Sequence, residues 1–235
     1  MALLDPSRYV RANAWMDPDF LETLMAAEPA GCPLPRRDAQ LCATMNFVAS
    51  RTEFAFWALW SAPLLVSTDV ANLSAEKRSI LTNTEVLAIH NDEAWVGGSR
   101  VFNHSTSGAQ VWARPLANGD IAVILYNAGR TKESWEERET VPVSVTWDML
   151  RPVPSSSRPG QLAVTDSQRA EGGGASRSDS QQANDDNKAW SKSDKVKVRD
   201  LWAGTDLTGT GGQRVGFEAQ IAPKDHMMLR LSLVV

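Results

Sequence analysis

The sequence predicts a mixed fold, an α/β segment followed by an antiparallel all-β sandwich, and three observations carry it. A helix, an apolar strand and a second helix follow one another between Ser50 and Leu81, the order of an α/β unit. Asn118-Gly119 separates two strand-like runs, Ala109–Leu116 and Asp120–Asn127, which is a hairpin signature. Further runs at Val141–Trp147, Val196–Trp202, Arg214–Ile221 and Met227–Val234 continue the β pattern through the second half, as a sandwich requires.

Each element has a local reason. The run from Ser50 to Trp60 sets Phe56, Trp57 and Trp60 on the apolar face of a buried helix that ends near Ser61. Ala62-Pro63 then breaks the helix, and Leu64–Asp69 reads as a short parallel strand covered on both faces. Ser74 is placed to cap the next helix, with Glu76 in its first turn, where a negative charge suits the helix dipole. The character changes after Asp92, so residues 1–95 are assigned to the α/β part and residues 96–235 to the sandwich. Residues near 152–194 are rich in Ser, Gln, Gly, Asp and Arg, with a Gly172-Gly-Gly run. They cannot bury enough apolar surface to offset the entropy of ordering them and read as a disordered loop insertion.

With 43% hydrophobic residues in 235, the chain can build a sizeable core. A net charge of −4 supplies no basic footprint, which argues against nucleic acid or an anionic membrane surface as a partner. No apolar run approaches the roughly 18–20 residues of a membrane helix, and the first residues lack the pattern of an export signal. Nine tryptophans against two tyrosines suit either a core or platforms for sugar rings, and composition alone favours the core. Cys32 and Cys42 lie in a Gly/Pro-rich stretch, a spacing that fits a loop-closing disulfide better than a zinc site short of ligands. An oxidising compartment would follow, which conflicts with the missing signal unless the natural N-terminus lies upstream of Met1.

Several segments share a family pattern. Ala14-Trp15-Met16-Asp17-Pro18-Asp19-Phe20-Leu21 resembles the Trp-Asn-Asp-Pro-Asp-Met-Leu motif of glycoside hydrolase family 27 α-galactosidases, the melibiases. Thr52–Asp69 is similar to the family's Trp-Ala…Ala-Pro-Leu-Leu stretch, and Leu81–Asp92 to its Asn-x-Glu-Val-Ile-Ala segment. Val111–Asn127, Val198-Arg-Asp-Leu-Trp202 and Met227–Leu231 continue the likeness. Met16, Phe20 and His90-Asn91 depart from the pattern. The resemblance implies the C-terminal part of a (β/α)₈ barrel, incomplete here, followed by an antiparallel β-sandwich. It also supports the Cys32–Cys42 disulfide and suggests a secreted, lysosomal or vacuolar protein.

The chemistry the resemblance implies is retaining glycoside hydrolysis, which needs two carboxyl groups about 5–5.5 Å apart across the scissile bond. In the family both precede the Trp15–Leu21 motif, and no segment of residues 1–13 matches either. The chain by itself is therefore expected to lack catalytic residues and to be inactive. Asp19 carries over as the carboxylate that bonds a ring hydroxyl of the sugar, a role that suits a polyol ligand. Asp17 carries over as structural, bonding backbone amides of its turn. Trp15 is a candidate for the pocket wall, with barrel packing as an equal alternative. Asp17 and Asp19, separated by one proline, cannot flank a substrate from opposite faces. His90 reads as a packing or hydrogen-bonding group at a helix end, not a catalytic base. Asn72-Leu-Ser74 and Asn103-His-Ser105 match the N-glycosylation pattern.

The expected partner is thus an α-galactoside carbohydrate, with no metal or cofactor implied and the oligomeric state left open. α-N-Acetylgalactosaminidase is a neighbouring activity. A non-catalytic carbohydrate-binding remnant of the same family is the alternative reading, and a sandwich without a ligand is a third.

Overall fold

A computed structural model of the chain describes residues 9–23, 45–67, 69–129, 139–150, 195–208 and 215–234. The cysteines at 32 and 42 and the whole of the serine-rich insertion near 152–194 fall outside these residues. Helix α1 spans Phe47–Trp60, capped by Asn46, whose side chain accepts from the Ala49 N–H at 2.8 Å. It stops at Ser61, which turns left-handed (φ 55°), and Pro63 follows, a residue that favours an extended chain before it. Helix α2 covers Ala75–Leu81, with the Ser74 hydroxyl accepting from the Lys77 N–H and Glu76 in the first turn, as the sequence predicts. Helix α3, Thr84–His90, begins at Asn83, whose side-chain Oδ1 accepts from both the Glu85 and Val86 N–H groups.

The strand expected at Leu64–Asp69 is reduced to a single parallel bridge between Val66 and Leu21. Leu21 N–H donates to Leu65 O at 2.8 Å, and Ser67 N–H donates to Leu21 O at 3.2 Å. Leu65 and Val66 are 44% and 39% exposed, so the expected cover on both faces is absent among the described residues. A strand with one short neighbour has no ladder to extend along.

The β elements are β1 (Ser99–Asn103), β2 (Ala109–Pro115), β3 (Ile121–Asn127), β4 (Val141–Thr146), β5 (Val196–Asp200), β6 (Thr205–Asp206), β7 (Gly216–Ile221) and β8 (His226–Leu233). They form one sheet in the order β1-β2-β3-β8-β5-β6 and a second of β4 and β7, with every pairing antiparallel. The β2–β3 hairpin turns at Asn118-Gly119, where Gly119 takes φ +87°. Trp147, expected to close a strand, instead opens a 3₁₀ turn over Trp147–Leu150.

Side-chain alternation gives the large sheet two different faces. Val111, Ala113, Val123, Leu125, Leu229 and Leu231 point toward Val143, Val145 and Ile221 of the small sheet and close the sandwich core. Trp112, Ala122, Ile124 and Met228 point the other way, onto Phe54, Ala55, Phe56, Ala58 and Leu59 of α1 and onto Val86 and Ile89 of α3. Strand β3 is therefore buried on both faces, which is why it reads Ile-Ala-Val-Ile-Leu without polar interruption.

Arg114 shares the helix-facing side of β2 and is fully buried. Its guanidinium donates to Ala58 O at 2.9 Å, Ile89 O at 2.7 Å and Asp92 O at 3.4 Å. Two of those carbonyls end α1 and α3, the negative poles of their helices, so one cation satisfies both termini. Burial pushes its pKa down to about 10, against the opposing pull of Asp92.

Candidate functional site

The segment from Trp15 to Thr23 is built around Pro18. Asp17 Oδ1 accepts from the Asp19 N–H at 3.0 Å, an Asx turn that folds the backbone over the proline. Asp19 has φ 79°, in the left-handed region that costs a residue with a side chain free energy and that Asn and Asp tolerate best. Its Oδ1 accepts from the next amide, Phe20 N–H, at 2.8 Å. Both carboxylates are exposed, as are Trp15 (50%) and Phe20 (56%). Asp17 and Asp19 thus share one turn, on one side of whatever ligand reaches them.

Beyond the turn the chain goes inward. Leu21 is fully buried and bridges to Val66, and the Ser67 hydroxyl donates to Leu21 O at 2.7 Å. From the opposite direction α1 contributes two polar contacts: Glu53 Oε1 accepts from the Glu22 N–H at 2.9 Å, and Trp57 Nε1 donates to Asp19 O at 3.2 Å. Burial pushes the Glu53 carboxyl up to about 7; the Glu22 N–H opposes this and the Glu22 charge adds to it. Glu53 Oε2 and the nearby Thr23 hydroxyl are both buried without a well-formed hydrogen bond among the described residues.

Neither Glu53 nor the indole N–H of Trp57 is singled out by the sequence. Trp57 reads there as one more apolar residue of α1; in three dimensions its ring lies 5.7 Å from that of Trp60 and its nitrogen faces the turn. The available signal was the spacing of Glu53 and Trp57, four positions apart and so on one helical face.

His90 sits at the end of α3 with Nε2 2.8 Å from Ala62 O and Nδ1 2.8 Å from Asn91 Oδ1, a hydrogen-bonding role away from Asp17 and Asp19 in its contacts. Asn72 is exposed and donates to Asp69 Oδ2 at 2.8 Å; Asn103 is exposed at the end of β1. A shallow cavity of about 190 Å³ is lined by Thr106, Ser107, Glu139 and Val141, residues of the sandwich and not of the turn.

Comparison with known proteins adds the family context. Residues 106–167 and 179–231 match the model of the alpha galactosidase C-terminal beta sandwich domain, and residues 32–92 match that of alpha galactosidase A. An alpha-galactosidase of Oryza sativa subsp. japonica is 35% identical over 119 residues, 51% of this chain and 24% of that protein. Among solved structures, alpha-galactosidase I from Mortierella vinacea superposes with a TM-score of 0.63 at 21% identity, covering 96% of this chain and 41% of that one. The Saccharomyces cerevisiae alpha-galactosidase solved with raffinose superposes with a TM-score of 0.57 at 17% identity, covering 93% and 47%. At these identities the superpositions speak to fold alone. The chain spans about a quarter of the length of the curated relatives it matches, 24% and 27% for the first two.

Proposed function

We infer, from the membership of this chain in the family 27 melibiases, that it supplies the sugar-orienting turn and the β-sandwich of a retaining glycoside hydrolase that releases terminal α-galactose. Asp19 carries the reading. An acidic residue held in a left-handed conformation, on a turn tied down by Asp17 and by α1, presents an exposed carboxylate from a fixed backbone. Strained backbone positions of this kind concentrate at ligand sites. With Oδ1 engaged by the Phe20 N–H, Oδ2 is the acceptor offered to a ring hydroxyl. A charge-assisted bond of that type fixes the orientation of a polyol. The exposed indole of Trp15, four residues earlier in the same motif, is a flat apolar face of the kind that stacks on sugar rings.

Asp17 and Asp19 do not supply the chemistry, because two carboxyl groups on one turn cannot attack and protonate from opposite sides of the sugar. The nucleophile and the acid/base are assigned to sequence outside the motifs matched here. The test is hydrolysis of a chromogenic α-galactoside by the 235-residue chain and by the chain joined to any upstream open reading frame. The expected outcome is turnover by the longer protein only, and a fall in its kcat/KM of about tenfold or more in Asp19→Asn. Turnover by the short chain would sink the division of labour. Silence in both would favour a non-catalytic carbohydrate-binding protein, a reading supported by a sandwich core that closes with its own residues.

A further inference from the structure

We propose that Glu53 and Trp57 are positioning residues for the Asp17–Asp19 turn, gripping its backbone from α1 through a contact that responds to pH. The proposal rests on the reading of Asp19 as the carboxylate that orients the sugar.

The two side chains leave α1 on one face, four residues apart. One takes a backbone donor, the Glu22 N–H, and the other supplies a backbone acceptor's partner, at Asp19 O. Between them Leu21 is held by Leu65 and Ser67 on the far side. Residues 19–22 are thereby fixed on both flanks, and a left-handed Asp19 persists only where its surroundings over-determine it.

Only one of the two contacts titrates. The Glu53 carboxyl, pushed up to about 7 mainly by burial, faces the charge of Glu22 from the turn segment. The neighbouring cation on its own helix, Arg51, is directed to Asp225 at 3.3 Å. Among the described residues no cation is paired with Glu53. Its pKa in the closed arrangement lies above the 4.5 of a free glutamate. The stability that the protonated carboxyl gives the closed arrangement is therefore fully present below about 4.5 and is lost as pH rises through about 7. A neutral carboxyl still accepts the Glu22 N–H through Oε1, whereas an ionised one is buried beside a like charge. The turn that carries Asp19 is thus set most firmly in acid.

The test is a ¹⁵N–¹H spectrum of the 235-residue chain recorded from about pH 5 to about pH 9, following the Asp19, Phe20 and Glu22 amides and the Trp57 indole. The wild-type resonances are expected to move together with a midpoint near 7. Glu53→Gln, which keeps the shape and the acceptor, is expected to hold them at their acid positions throughout. Trp57→Phe should displace Asp19 and Phe20 at every pH while Glu22 still titrates. Unchanged β2 and β3 resonances would show that each variant is folded. Loop amides that ignore pH, or that still titrate near 7 in Glu53→Gln, would overturn the assignment. The longer protein separates this from the reading beneath it: a pH response of the turn together with a kcat/KM that Asp19→Asn leaves unchanged keeps the positioning in place and removes the sugar-orienting role.

Discussion

His226 shows how a single buried side chain can be given one protonation state by its neighbours. Trp202 Nε1 donates to its Nε2 at 2.8 Å, and an indole N–H can only donate, so Nε2 must be bare. The proton sits on Nδ1, 2.8 Å from the Thr52 hydroxyl, which donates onward to Val48 O at 2.9 Å. Burial, with the charge of Arg51 adding to it, pushes the pKa down to about 3. The unfolded chain then binds a proton near pH 6.5 that the folded chain refuses, so the stability this ring contributes is present above about 6.5 and is lost as pH falls toward 3. Urea unfolding at about pH 7 and about pH 4 should show the native chain losing on the order of 2–3 kcal/mol through this group. His226→Gln should lose correspondingly less, and an equal loss in both proteins would contradict the assignment. Glu53 has the opposite sign, so the two groups pull against each other between their pKa values. At this scale the turn that Asp17 closes was legible because its motif is contiguous. Glu53 and His226 were not, because their partners lie 31 and 174 positions away.

At the scale of elements, local chemistry explains most boundaries. Asn83 both caps α3 and donates its Nδ2 to Leu201 O at 3.1 Å, tying the helix start to the turn after β5. Asn83→Ala is expected to cost about 1–2 kcal/mol, read as a lowered thermal midpoint, whereas Asn83→Asp should recover the cap but not the bond to Leu201. A full recovery by Asp would mean that the cap alone matters. The capped helices and the Asn-Gly hairpin are written in sequence because a few adjacent residues decide them. Strand β1 escaped the sequence reading: it lies at the edge of its sheet, is half exposed, and carries a register shift between Arg100 and Phe102 that spoils the alternation. The run at Leu64–Asp69 failed in the opposite sense. Its apolar content signals a covered strand, but cover and ladder belong to neighbours, and among the described residues it has only Leu21.

At the scale of the whole molecule, the large sheet is a shared floor, with α1 and α3 packed on one face and the small sheet on the other. Arg114 binds the carbonyl ends of two helices from within β2, and Arg199 of β5 donates to both oxygens of Glu85 in α3 at 2.6 and 2.7 Å. The packing therefore runs across the change of secondary structure after Asp92. Helices and sandwich should unfold together, with urea transitions by tryptophan fluorescence and far-ultraviolet circular dichroism coinciding. Separated transitions would show that the helical layer melts on its own. The sequence by itself determined the order of helices and strands, the hairpin, the family and the turn around Pro18, since each depends on neighbouring residues or contiguous motifs. Only the tertiary structure decided which buried polar groups hold that turn, which face of the sheet each strand residue serves, and how far the parallel pairing extends. Those are contacts between distant positions, and the energy of a buried carboxyl, imidazole or guanidinium is set by what surrounds it in space.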